Sequence, residues 1–542
     1  MSRGDDNMSK IKVFLKKRWI WLLAIILIIA MILSTVEIYK EEVLNIDPDV
    51  SYTEKKTLYF AAERPDTLNP LVSKSEDVYY ISKLIYDSLF EFDEYLNVVP
   101  CLVDSYSVDT EKAFVKITLR DGVKWHNGKK LKAADVKFTV DAIKQAGASS
   151  PYYDKCSRIM LVNVKSSKEL TIYFNNNYKC SLDVLTFPIV PSSGYSSPYQ
   201  FISETDRFKP VGTGKYCYAS YDYLKKLKLK PNTEYFNAPV NNKIQVNILP
   251  DASLSTSLTE INDISCYIDR STDRRTVAKD KKLVSYDIVS NQLEFVIFNT
   301  KRVYLSQSEV RQAIAYGIDT PKILENSYGS DAVYTDTVYY PNFLGVEDTG
   351  EWREYNYEKA VKLMKKAGLS DKNEDGMLED ANDKTIMLDI LVKKSNTQRM
   401  SAAKVIAKNL ETLGFDTKIT ALSSKKYEQA IRSRNFDLLI AGYEMEERYD
   451  LREFFNNRNA WGYYNAELYT KAGELERLYT AEEQKKKYRE LKEALLDEMP
   501  YYALCYKKMG LVGISTFTAE KLPMFNNIYK NCETWSWKAI EN

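Results

Sequence analysis

One histidine bounds the chemistry open to this chain. A Ser-His-Asp triad, a Cys-His dyad and an H-E-x-x-H zinc site each need an imidazole, and the sequence has only His126, in a turn ending at Gly128. No Gly-x-Ser-x-Gly occurs either. The seven cysteines (101, 156, 180, 217, 266, 505 and 532) include no Cys-x-x-Cys, so zinc and redox motifs lack support. A Cys156–Cys180 bridge would close the shortest loop, with buried thiols the plainer expectation. The 75 acidic residues offer many carboxylate pairs, but nothing in the sequence singles one out for acid–base work. These residues predict a binding protein rather than an enzyme, with no cofactor.

Three short runs have the composition to hold an ion. Pro210-Val-Gly-Thr-Gly-Lys-Tyr216 has glycine turns whose N–H groups suit an anion. A Walker loop needs G-x-x-x-x-G-K-[ST], however, and Tyr216 stands where the magnesium-binding hydroxyl belongs. Residues 371–382, DKNEDGMLEDAN, place Asp371, Asn373 and Asp375 at the first, third and fifth positions of a calcium loop, with Gly376 at the sixth. The twelfth position, where a bidentate carboxylate closes such a loop, is Asn382. The expectation is a solvated acidic turn and no metal, with calcium as the alternative. The third run holds Glu444, Glu446, Glu447 and Asp450 beside Arg448 and Arg452. It is either an acidic turn paired with those arginines or a carboxylate cluster awaiting a ligand's cation.

The elements that must carry these groups follow from periodicity. Val115, Ile117 and Leu119 alternate with Lys116, Thr118 and Arg120, which predicts a strand with one buried face. Asp121-Gly122 and Asn127-Gly128 accept positive φ, so a small hairpin carries Trp125 across that strand. Val136, Val140 and Ile143 then mark one face of a helix. Ile81, Leu84, Ile85 and Leu89 mark another between 78 and 89. Leu293 to Asn299 is predicted as a strand leading to a helix capped by Ser306 and Glu309. Beyond it, a helix over 356–367, a strand over 385–392, a helix over 401–413 and a strand over 436–441 alternate as in an α/β domain.

Leu-Arg-Asp-Gly-Val-Lys-Trp-His-Asn-Gly (119–128), followed by Ala-Asp-Val-Lys-Phe-Thr (134–139), resembles the signature region of the family 5 extracellular solute-binding proteins, the peptide receptors of ABC importers. Thr67-Leu-Asn-Pro70, Gly212-Thr-Gly-Lys-Tyr216 and Val310 to Asp319 resemble further segments of that family. Lys132 departs from it, standing where a helix-capping Ser or Thr is usual. The resemblance implies a two-lobed, periplasmic-binding-protein-like α/β fold with an extra subdomain. Its lobes would be 57–75, 206–295 and 500–542 (lobe I, with 76–205 as the extra subdomain) and 296–499 (lobe II). It also implies a peptide ligand whose amino terminus meets a carboxylate after a strand ending Gly-Trp-x-x-Asp. Here the matching run is Gly442-Tyr-Glu-Met-Glu446, which sets Tyr443 on the Trp position and Glu446 on the Asp position, while Asp450 falls within one residue of the family's Asp-Pro. Expected ligand contacts are therefore Glu446, Tyr443, Glu444, Asp450 and Asn299, with Trp461 and Tyr464 lining the same cleft.

Lys+Arg 76 against Asp+Glu 75 leaves a net charge of +1, so bulk charge makes no case for nucleic acid. Residues 19–36 carry no charge and just span a roughly 30 Å hydrocarbon layer at about 1.5 Å per residue. Lys10, Lys12, Lys16, Lys17 and Arg18 precede them; Glu37, Glu41 and Glu42 follow. The positive-inside rule makes 1–18 cytoplasmic, 19–36 a single-pass anchor, 37–56 a linker and the rest extracellular. A cleaved signal peptide is the competing expectation. A lipid anchor just after the apolar run is excluded, since the first cysteine is Cys101. The expected protein is a membrane-anchored, monomeric receptor that delivers peptides to an ABC permease. The alternatives are an oligosaccharide or metal chelate as ligand, or a role in signalling.

Overall fold

The computed structural model describes residues 52–175, 181–261, 263–270, 282–329, 332–350, 355–380, 382–447 and 450–540. The expected anchor at 19–36 and Cys180 lie outside them. Among the described residues no helix is long and apolar enough to cross a membrane. Cys101, Cys156, Cys217, Cys266, Cys505 and Cys532 are free thiols, all but Cys101 buried.

Two sheet systems organise the chain. In the first, strand Thr57–Glu63 alternates half-buried and buried residues and pairs in parallel with Lys243–Leu249. Lys226–Pro231 and Tyr216–Asp222 extend that sheet antiparallel. A separate antiparallel sheet, in the order Val103–Asp109, Phe114–Leu119, Glu169–Phe174, Ile159–Val164, carries the predicted hairpin strand, and helix Ala133–Ala146 packs against it. Val115, Ile117, Val136, Val140 and Ile143 are all buried there, as their periods require.

The second system is a seven-stranded sheet. It begins Cys266–Asp269, Tyr501–Ile514, Leu283–Phe298 and Leu438–Glu444, with antiparallel pairing, and ends with Met387–Lys393 and Asp416–Leu422, parallel to one another; the two-residue Ala332–Val333 adds to Tyr501–Ile514. Alternation divides its side chains cleanly. Val296 and Phe298 join a core with helices Ser308–Gly317, Tyr357–Lys366 and Thr397–Thr412, whereas Phe295 and Ile297 face the opposite core with Leu439 and Tyr501. The described residues thus form an α/β fold. The expected helix stop at Gly414 is realised: Leu413 caps the helix and Gly414 takes φ +93°.

Two strands join the systems. Leu283–Phe298 (16 residues) and Tyr501–Ile514 (14 residues) run antiparallel for their whole length, with register shifts at Val289/Leu293 and Glu294/Phe295. Everything from 299 to 500 leaves the end of one and returns at the start of the other. We call this insertion and its part of the sheet the second lobe, and the rest the first lobe.

The expected Ser306/Glu309 capping box is not formed. A 3-10 turn, Tyr304–Ser306, draws the Ser306 hydroxyl back to Val303 O (2.6 Å), and helix Ser308–Gly317 starts after an uncapped Gln307. Lys132 likewise caps nothing with its side chain. The helix start beside it is held by Asp135, whose carboxylate accepts from Lys132 N (2.9 Å).

Candidate functional site

The helix Glu76–Ile85 forms because Ser75 caps Val78 N and Glu76 and Asp77 sit in its first turn. Its buried residues are Val78, Tyr80, Ile81, Ser82, Leu84 and Ile85. Glu76, Tyr79, Tyr80 and Lys83, at the intervening i, i+3, i+4 and i+7 positions, turn towards the second lobe. Opposite them stands the end of strand Leu438–Glu444 and the turn after it.

Contact between the two is direct. The Tyr79 hydroxyl donates to Glu447 Oε1 (2.7 Å), Lys83 Nζ lies 3.8 Å from the same oxygen, and Lys83 stands over the Tyr79 ring at 4.3 Å. Lys83 also donates to Asn526 O (2.6 Å). Burial pushes the Lys83 ammonium down to about 8 even though Glu447 favours its charge. Burial, and then the Glu447 carboxylate, raise the Tyr79 hydroxyl well above its usual range.

Cavities flank this contact on both sides. One, of about 60 Å³, is lined by Glu76, Tyr80 and Arg270 of the first lobe with Gln292, Glu444 and Lys507. It shares Glu76 and Arg270 with a cavity of about 780 Å³. On the other side Glu447, Lys83, Asp87 and Lys530 line about 70 Å³, and Lys83, Asp87 and Lys530 continue into about 290 Å³. Asp87 accepts from the Thr213 hydroxyl (2.8 Å) and the Tyr235 hydroxyl (3.2 Å), and burial pushes it up to about 6. The two small spaces admit a few waters at most. The larger ones are of ligand size.

Beneath the strand end lies a buried ionic group. Glu294, 1% exposed, takes Arg399 Nε and Nη2 (2.7 and 2.9 Å) and Lys507 Nζ (3.0 Å). A Cβ on Gly442 would overlap that guanidinium, so glycine here lets Arg399 cross the strand to reach Glu294.

The residues expected to bind ligand are distributed as follows. Glu444 lines the 60 Å³ cavity, and Glu446 is exposed on the turn. Tyr443 is half-buried, its hydroxyl on Glu453 and its ring against Phe454 (4.9 Å). Asp450 is buried and pairs with Arg452 Nε and Nη2 (2.9 and 3.1 Å). Asn299 is also buried, and its amide donates to Arg434 O and Phe436 O (3.1 and 2.8 Å) at the end of its strand. Trp461 packs edge-on to Phe295 and Tyr501 and donates to the Tyr501 hydroxyl (2.7 Å), while Tyr464 is 58% exposed. Sequence reasoning passed over Glu447 as a cleft residue, and over Tyr79, Tyr80, Lys83, Arg270 and Lys507 altogether. The signal for the helix residues was present: the polar and aromatic positions of the 76–85 helix repeat at helical spacing. Counting back from Asp450, instead of forward from Gly442, moves the expected carboxylate from Glu446 to Glu447.

Two lobes joined by a pair of strands, with charged and aromatic groups facing across the gap, are the architecture of a two-lobed binding protein. Residues 97–458, more than half of the chain, match the model of the bacterial extracellular solute-binding proteins, family 5, and the chain belongs to that family. It is 24% identical over 502 residues to the oligopeptide-binding protein AppA of Bacillus subtilis strain 168, covering 88% of this chain and 90% of that one. Among solved structures it is similar to a nickel ABC transporter protein from Bacillus halodurans (TM-score 0.71, 18% identity, 88% of this chain and 98% of that one). It is also similar to the ABC transporter substrate-binding protein CtaP of Listeria monocytogenes (TM-score 0.66, 19% identity, 89% and 99%). At these identities the structures show a shared fold.

Proposed function

We propose that the chain captures peptides between its two lobes and passes them to the permease of an ABC importer, held at the membrane by residues 19–36. The observation that carries this is the carboxylate-bearing strand end, Glu444 to Glu447, facing Tyr79 and Lys83 across the hinge. A peptide brings an α-ammonium, and Glu447 already holds an ammonium, that of Lys83. The incoming amino terminus takes the place of Lys83 on this acidic turn, with Glu446 and Glu444 adding negative charge, and aromatic walls accept varied side chains. The oligopeptide-binding relative supports a peptide.

A metal chelate held by imidazole finds no partner here. His126 is the one histidine, and both its ring nitrogens are engaged: Nδ1 accepts from Gly212 N (3.2 Å) and Nε2 donates to Gly214 O (3.0 Å).

The deciding experiment compares free and N-acetylated peptides by calorimetry on wild type, Glu446→Gln and Glu447→Gln. Free peptides should bind wild type more tightly than acetylated ones, and at least one substitution should abolish that preference. Equal binding of both peptide forms by wild type would sink the reading and point to a non-peptide solute. Small-angle scattering should show the radius of gyration fall on binding, as the lobes close about the paired strands.

A further inference from the structure

We infer that the loop from Asp371 to Glu379 is a calcium site that clamps the second lobe. Carboxylate oxygens of Asp371, Asp375 and Glu379 all lie within 4.8 Å of one another. Ligands at about 2.3–2.6 Å from one Ca²⁺ stand no more than about 5 Å apart, so these three fit a single coordination sphere.

The independent observation is Glu379. It is 2% exposed; one carboxylate oxygen, Oε2, accepts from Lys372 N (2.8 Å), while Oε1 is buried with no hydrogen-bond partner. A buried carboxylate oxygen without a donor is unfavourable unless something else supplies positive charge. Lys372, whose backbone N holds Oε2, does not: its Nζ is drawn off to Asp380 O and Asp383 (both 2.7 Å). A bare cation between the three carboxylates satisfies Oε1 and removes their mutual repulsion. An all-oxygen donor set that is rich in carboxylate selects a hard cation, and a loop on the surface suits the adaptable shell of Ca²⁺ better than the strict octahedron of Mg²⁺.

The backbone places these groups before any ion arrives. Gly376 at φ +88° turns the chain, and Asp371 accepts from Asp375 N (3.1 Å) and Gly376 N (2.8 Å). Glu379 is fixed by bridges to Ser370 and Thr385. It occupies the ninth position of the loop, so Asn382 at the twelfth does not decide the matter. The clamp is anchored inward: Leu378 N donates to Gly414 O (2.7 Å) and Ile386 N to Leu378 O (2.9 Å), tying the loop to the strand pair Met387–Lys393 and Asp416–Leu422.

The test is equilibrium dialysis of the EDTA-stripped full chain against Ca²⁺ or Mg²⁺, with thermal melts alongside. One Ca²⁺ should bind per chain, with Kd on the order of 0.1–1 mM or tighter. The melting temperature should rise with Ca²⁺ and little with Mg²⁺. Glu379→Gln and Asp375→Asn should each weaken Ca²⁺ binding by about tenfold or more. Without the ion, both variants should melt at or above stripped wild type, since each relieves repulsion; a purely structural carboxylate would lower the melting temperature instead. No bound Ca²⁺ at about 10 mM, or undiminished binding in both variants, would overturn the site. Asp371→Asn provides a third variant should either of the others fail to fold.

Discussion

The hairpin around His126 and the strand end around Glu447 are both dense in polar groups, yet they dispose of them differently. At the hairpin every partner is internal. Asp135 accepts from Trp125 Nε1 (3.3 Å), Lys132 N (2.9 Å), Ser192 N (2.9 Å) and the Ser192 hydroxyl (2.5 Å). His126 spans Gly212 and Gly214, and the backbone N of Gly214 reaches Ile85 O (2.8 Å), so the glycines that suggested an anion cradle have their amides in use. At the strand end the partners of Glu447, Tyr79 and Lys83, belong to the other lobe. The run whose motif resembles the family's signature is therefore one that holds the first lobe together, while the run proposed to meet ligand is harder to recognise.

Four experiments would break or sharpen that contrast. The largest effect belongs to the hairpin: Asp135→Ala strips one acceptor from several buried donors and should cost about 3–5 kcal/mol in urea unfolding. Whatever folded protein remains should keep its ligand affinity, and a loss of affinity without a loss of stability would put the hairpin in the cleft. Glu447→Gln should do the reverse. Truncating such a charge contact costs about 2–5 kcal/mol in binding, roughly 30-fold to several thousandfold in Kd, with about 1 kcal/mol or less in stability because the Lys83–Glu447 pair is partly solvated.

Two glycines give a finer comparison. A Cβ at Gly212 overlaps the carbonyl of Ile85, a backbone atom, whereas one at Gly442 overlaps the Arg399 guanidinium, the end of a long side chain. Gly442→Ala should cost about 1–3 kcal/mol as Arg399 yields, and Gly212→Ala more; the opposite order in chemical denaturation would show the Glu294–Arg399 pair to be the stiffer element.

The smallest effect is on pH. His126 titrates below its ordinary 6.5, because burial disfavours the imidazolium, so the unfolded chain takes up the proton first as pH falls. Its contribution to stability is complete above about 6.5 and lost as pH falls through its folded value. Asp87, raised to about 6 from 3.8, works the other way: its contribution is complete below 3.8 and lost as pH rises through about 6. Urea midpoints between pH 4 and 7 should therefore fall less on acidification in His126→Gln and more in Asp87→Asn. Parallel profiles in all three proteins would remove both groups from the acid response.

Much of the architecture was legible because its signals are local. The strand at Phe114–Leu119, the helix at Tyr357–Lys366 and the stop at Gly414 each follow from a period or a cap within a few residues. The Ser306 box failed because a turn just upstream competed for the same hydroxyl. The cleft was legible only in part. Which acid on the 444–447 turn faces the other lobe depends on the distant Tyr79 and Lys83, and no pattern near Glu447 encodes that partnership. Trp461 and Tyr443 read as cleft aromatics, and both rings pack against Phe454, a contact with no signal in the local sequence pattern.

The pairing of Tyr52–Lys55 with Trp535–Ile540 brings the two ends of the described chain together, and Trp537 Nε1 donates to Thr57 O across 480 positions of sequence. A ribosome adding about 5–20 residues per second needs roughly 25–100 s to deliver the second partner after the first. Throughout that interval the earlier of the two strands is an unzipped β-edge, the kind of surface that recruits foreign strands. This seam thus closes only after everything between its two strands has been made, and a nascent chain stalled short of Trp535 keeps it open however well its middle has folded.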